Sequence, residues 1–205
     1  TAKFRSSYFL YFLALQCAKF LTLFDRYPLA IDAALAHARK TGLLRVLDVG
    51  AGPGTTSVAF FFHVFERLAT EMNEKGRIPF KIELHWIDHN KAILDDGKIF
   101  FERLLGELGE LYPDLEADVN LTTDTRAWWQ HPRDFNYEAS IVLFGNVLNE
   151  SSRDPRAFQQ GLAPFFRKPQ GAGILMIEPA FKSASQRLSK IRNEWLSARE
   201  FQPSP

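Results

Sequence analysis

Val46-Leu47-Asp48-Val49-Gly50-Ala51-Gly52-Pro53-Gly54 is the stretch whose reading decides the fold. Its first half closes a short apolar run, Leu44–Val49, bounded by glycines, the pattern of a parallel strand buried on both faces. Its second half is a glycine turn that opens directly into a helical pattern at Thr55. Gly50 and Gly52 let the backbone turn tightly and approach a ligand with no Cβ in the way. The helix that follows begins with N–H groups lacking intrahelical partners.

Working outward, strands and helices alternate. A helix over Thr55 to about Asn73 carries Val58, Phe61, Phe62, Phe65, Leu68 and Met72. Lys81–Ile87 alternates like a strand that ends at Asp88, and Lys91–Leu108 has the period of an amphipathic helix. Val119–Thr123, Ala139–Gly145 and Ala172–Ile177 read as further strands, with helices expected over Pro155–Arg167 and Ser183–Arg199. Right-handed crossovers then give a doubly wound α/β fold, mostly parallel, with expected strand order 3-2-1-4-5. Two helices precede it, Ser7–Phe24 and Pro28–Thr41; Pro28 suits a first turn, and Gly42 stops the second. Residues 1–43 thus form a helical extension of a domain at 44–205, and the connection at Thr41–Leu43 is too short to separate them.

Composition narrows the function. With 25 Lys and Arg against 24 Asp and Glu, bulk charge gives no attraction to phosphates, so an RNA or ribosome partner needs a local basic patch. Lys182, Arg187, Lys190 and Arg192 are candidates for one, or a solvated helix face. Lys3 and Arg5 before Tyr8–Ala14 mimic a signal peptide, but Lys19, Asp25 and Arg26 break the apolar stretch too early for a membrane span. A buried helix and no membrane partner are expected, and the absent initiator Met suggests residues before Thr1. Cys17 is the single cysteine, which excludes an internal disulfide framework and suits a reducing, cytoplasmic setting, or a mitochondrial one in a eukaryote. His85 and His89 fall across a strand end, so no metal site is expected.

In a doubly wound sheet the ligand lies beyond the carboxyl ends of the strands, where strand order reverses. A dinucleotide fingerprint counted from Gly50 needs a small third residue at position 55, where Thr55 stands, and Asp48 would crowd a pyrophosphate. An acid at Asp48 suits a ligand bearing an ammonium group. Asp88 is placed to accept hydrogen bonds from ribose hydroxyls, or to cap the next helix. His89 lines an adenine edge or lies on the surface.

Residue for residue, Val46–Gly54 resembles the first motif of class I, Rossmann-like S-adenosylmethionine-dependent methyltransferases. The resemblance implies S-adenosyl-L-methionine as cofactor, held by Asp48, Gly50, Ala51, Gly52, Pro53, Gly54, Asp88 and His89. It further implies that Asp124 accepts from the adenine amino group while the Thr125 backbone meets a ring nitrogen, with Trp128 and Trp129 covering the adenine or packing elsewhere. Gly145 and Asn146, at the end of the fourth strand, then face the transferred methyl group. Asn146 and Asn149 become candidates for substrate contact. Glu150 and Glu178 are candidates for a general base, or for helix caps and rim charges. Tyr8–Phe12, Val147-Leu148-Asn149-Glu150 and Ile177-Glu178-Pro179 also resemble the methyltransferase-like proteins associated with the small mitochondrial ribosomal subunit and their bacterial relatives. Two departures stand out: that family's metal-cluster cysteines are missing, and the sequence stops where class I enzymes add an antiparallel hairpin, as expected of a fragment. Methyl transfer from a sulfonium asks mainly for positioning, at about 3–3.5 Å. The acceptor, whether RNA, protein or small molecule, is therefore not legible. Rival readings are a non-catalytic binding or assembly factor on the same fold, and a nicotinamide oxidoreductase.

Overall fold

The structure, a computed structural model, describes residues 7–72, 80–112, 117–127, 137–147, 173–178 and 181–197. A wide π-helical turn, Tyr8–Leu13, runs straight into helix α1 (Ala14–Arg26), where the sequence pattern suggests one uniform helix. Tyr27 leaves helical geometry, as a residue before proline must, and α2 (Leu29–Thr41) closes on Gly42 at φ 75°. There follow β1 (Leu43–Val49), α3 (Thr55–Met72), β2 (Lys81–Asp88), α4 (Lys91–Leu111), β3 (Val119–Thr125), β4 (Ile141–Gly145), β5 (Gly173–Ile177) and α5 (Lys182–Ser197). The helix expected over Pro155–Arg167 lies outside the described residues.

All four strand pairings are parallel and the order is β3-β2-β1-β4-β5, the doubly wound arrangement expected. The order reverses at β1, flanked by β2 on one side and β4 on the other. The carboxyl ends of those three strands therefore frame the crevice. β3 runs two residues beyond its expected end, because Thr123, Asp124 and Thr125 stay in register with Trp86, Ile87 and Asp88. α4 continues to Leu111 and breaks at Tyr112, which precedes Pro113 in the sequence.

Alternation along β1 assigns the two faces. Leu44 and Val46 join a core built by α1, α2, α3 and α4; Leu47 and Val49 face Leu188 and Ile191 of α5. The first core is strongly aromatic. Phe24 meets Phe20, Phe60 and His63, while Phe61 and Trp86 both abut Phe101. Each such side chain contributes about 1.5–3 kcal/mol through burial, and each ring pair a further 0.5–1.5 kcal/mol or so. α1 thus packs onto α3 as part of the main core. No helix among the described residues is long and apolar enough to cross a membrane.

Candidate functional site

The loop after β1 is held by Trp86, Val147 and the start of α4, and is open at Gly52. Gly50, Gly52 and Gly54 all take positive φ, at 67°, 55° and 78°. A Cβ on Gly54 would run into the indole of Trp86, and one on Gly50 would come within 2.9 Å of Val147 Cγ1. On Gly52 it would meet only Ile93 Cγ2 at 3.9 Å, so Gly52 is the glycine whose outer side is open. From the α4 side, Gly97 lets the helix approach until its Cα faces the Pro53 carbonyl; a Cβ there would lie 2.5 Å from that oxygen.

The loop's N–H groups are engaged internally. Gly50 and Ala51 both donate to the Ile87 carbonyl, at 2.8 and 3.0 Å, and Gly54 donates to the Ala51 carbonyl at 2.8 Å. Gly52 donates to Asp88 Oδ2 at 2.9 Å, and Pro53 has no N–H to give. The segment therefore offers no donor set for a phosphate, in contrast to phosphate-cradling glycine loops.

Asp48 is fully enclosed on β1, and its Oδ2 accepts from the Ser57 N–H at 3.0 Å and the Ser57 hydroxyl at 2.7 Å. It thereby caps α3. Oδ1 has no hydrogen-bond partner. Burial pushes the Asp48 carboxyl up to about 7, against the lowering effect of the Ser57 bonds. Asp88 sits where the sequence puts it, at the carboxyl end of β2. Besides holding Gly52, it accepts the Asn90 N–H at Oδ1, 2.8 Å away. His89 is exposed, with Nδ1 3.3 Å from the same oxygen. Asn90 caps α4 through the Ile93 N–H.

Other predicted residues fall less tightly together. Asp124 ion-pairs with Arg126 at the end of β3, and Thr125 lies beside Asp88 in register. Trp128, Trp129, Asn149 and Glu150 lie outside the described residues. Gly145 and Asn146 end β4, and Glu178 follows β5. Asn146 takes φ 62°, the positive-φ non-glycine position among the described residues, and its N–H donates to the Ile177 carbonyl at 2.8 Å. Gly145 is pressed against Thr56 and the Phe20 ring, so no side chain fits there. Among the described residues, no three His, Cys, Asp or Glu side chains converge to hold a metal ion.

Sequence reasoning named no residue of α1 at this edge. Lys19 Nζ lies 3.4 Å from Asn146 Oδ1, and Asn146 Nδ2 lies 3.5 Å from Gln16 Oε1. Between Gln16 and Lys19, Cys17 Sγ contacts the Thr55 carbonyl at 3.5 Å, tying α1 to the start of α3. Burial lowers the Lys19 pKa, while the charge of Glu178 raises it. The available signal was Lys19 itself, a charge set among apolar residues ahead of Asp25 and Arg26. Likewise Gly97 within a helical pattern signals close approach, whereas Gly106 and Gly109 of the same helix face open space.

No family model matches the chain, and no curated protein does so either. Among solved structures it is similar to a presumptive S-adenosyl-L-methionine-dependent methyltransferase of Methanococcus maripaludis, at 10% identity and TM-score 0.44, covering 94% of this chain and 69% of that one. It is also similar to a presumptive rRNA methylase of Clostridium thermocellum, at 12% identity and TM-score 0.42, covering 80% and 79%. DesVI of Streptomyces venezuelae gives 16% identity and TM-score 0.36, covering 75% and 51%. Likenesses this distant leave the activity to be argued from the site.

Proposed function

We propose that this chain is an S-adenosyl-L-methionine-binding methyltransferase domain, with the cofactor seated beyond the carboxyl ends of β1, β2 and β4. The observation that carries the reading is the state of the glycine loop. Its N–H groups are already donated within the protein, and Asp48 takes the Ser57 N–H at the head of α3. A pyrophosphate would find a carboxylate where it needs donors. A nucleoside without phosphates meets no such conflict. The open side of Gly52 admits it closely, and the spare lone pairs of Asp88 suit ribose hydroxyls.

When bound, the sulfonium supplies an already activated methyl group. The protein's own task is then to fix both reactants and exclude water. Asn146, held in left-handed geometry at the end of β4, and the glycine loop would set the two sides of that gap. We read the acceptor as approaching over β4 and β5, beneath α1.

Isothermal calorimetry with S-adenosylhomocysteine tests the cofactor reading. Wild-type protein should bind it, and Asp88→Ala should weaken binding by roughly tenfold or more, as expected for lost hydrogen bonds to a charged acceptor. Tight NAD binding in place of S-adenosylhomocysteine would overturn the reading. Transfer of labelled methyl groups to cell RNA or lysate protein separates a working enzyme from a binding factor.

A further inference from the structure

The cofactor reading leaves a chemical question at the amino-acid end of the ligand, which carries both a carboxylate and an ammonium. Asp48, expected from the sequence to meet the ammonium, is enclosed and turned onto Ser57. The N-terminus of α3, expected to welcome an anion, has its Ser57 N–H donated to that same carboxylate. Neither pole of a zwitterion is satisfied by the glycine loop alone.

The neighbouring wall supplies both. Lys19 reaches over the end of β4 to the Asn146 carboxamide, and Glu178 directly follows Ile177, whose carbonyl accepts the Asn146 N–H at 2.8 Å. The lysine is partly withdrawn from water, which strengthens its pairing with an anion. α1 is fixed in this place by Phe20 and Phe24 in the core and by the Cys17 contact with Thr55, so the ammonium is delivered on a packed helix. Val147, directly after Asn146, lies against Gly50. The Lys19–Asn146 pair therefore borders the glycine loop through Val147.

We infer that Lys19 and Glu178 form a clasp for the zwitterionic end of the cofactor, Lys19 taking its carboxylate and Glu178 its ammonium, with Gln16 and Asn146 fixing the lysine's direction. The inference rests on the proposed cofactor and assigns Glu178 to binding in place of general-base work. It also makes the N-terminal helix part of the binding site.

The test is calorimetry with two probes, S-adenosylhomocysteine and 5′-methylthioadenosine, the second having the nucleoside and sulfur but no amino-acid end. Lys19→Met should weaken S-adenosylhomocysteine by roughly tenfold, the scale of one charge-assisted hydrogen bond, and leave 5′-methylthioadenosine unchanged. Lys19→Arg should restore most of the loss, and Glu178→Gln should reproduce it. Unchanged S-adenosylhomocysteine binding in Lys19→Met, or an equal loss for both probes, would overturn the clasp while the cofactor reading stands. If wild-type protein binds neither probe, the cofactor reading itself fails, and the clasp with it.

Discussion

Replacing Asp48 with Asn should change how stability depends on pH, because the wild-type carboxyl is buried at 0% exposure with one oxygen unpartnered. In the unfolded chain this group titrates at the ordinary 3.8; in the folded protein burial raises it to about 7. Between those two values the native state holds a proton that the unfolded state has released. Stability conferred by that proton is complete below about pH 4 and declines as pH rises toward 7, then levels off. At about 1.4 kcal/mol per pH unit over about three units, the full swing is about 4 kcal/mol. His63 and His85 run the other way, since burial lowers both and stability falls as acid protonates them in the unfolded chain. The wild-type curve therefore mixes opposed slopes, and only the difference from Asp48→Asn isolates the aspartate. Urea unfolding followed by circular dichroism from pH 4 to 8 measures it. The wild type should lose about 4 kcal/mol relative to the variant across that range. Parallel curves, agreeing within about 1 kcal/mol at every pH, would refute the reasoning.

Three other changes probe the scaffold. Gly54→Ala combines φ 78° with a clash against Trp86, and should cost about 2–5 kcal/mol in thermal unfolding; a loss under about 1 kcal/mol would mean the indole is not where the argument needs it. Phe24→Ala removes a side chain 1% exposed between α1 and α3, and should cost about 3–5 kcal/mol in urea unfolding. Gly97→Ala improves helix propensity by about 1 kcal/mol yet pushes on the Pro53 carbonyl. It should lower stability by about 1–3 kcal/mol and weaken S-adenosylhomocysteine binding severalfold, and unchanged binding would detach α4 from the loop's geometry.

The sheet was legible because its signals are local. Leu44–Val49 is apolar apart from Arg45 and Asp48 since both faces are covered, and a glycine turn then reverses the chain into a helix. Asp88 was legible for the same reason, standing at a strand's end. What escaped was everything set by distant parts of the chain. Nothing in Asp48-Val49-Gly50 tells that the carboxylate will find Ser57 nine residues on rather than a ligand. Nothing near Asn146 announces Lys19 and Gln16, which are 127 and 130 residues away in sequence. The break between the π-helical turn and α1 also escaped, since apolar periodicity alone does not separate i→i+4 from i→i+5 bonding.

The internal engagement of the glycine loop has a practical consequence for anyone watching ligands arrive. Gly50, Ala51, Gly52 and Gly54 have their amide protons tied up before any ligand enters. Deuterium uptake there should be slow in the free protein and hardly slower after loading, since the seat is rigid in advance and little ordering remains to be done. Occupancy should register instead in the heat released, and at Lys19 of the proposed clasp.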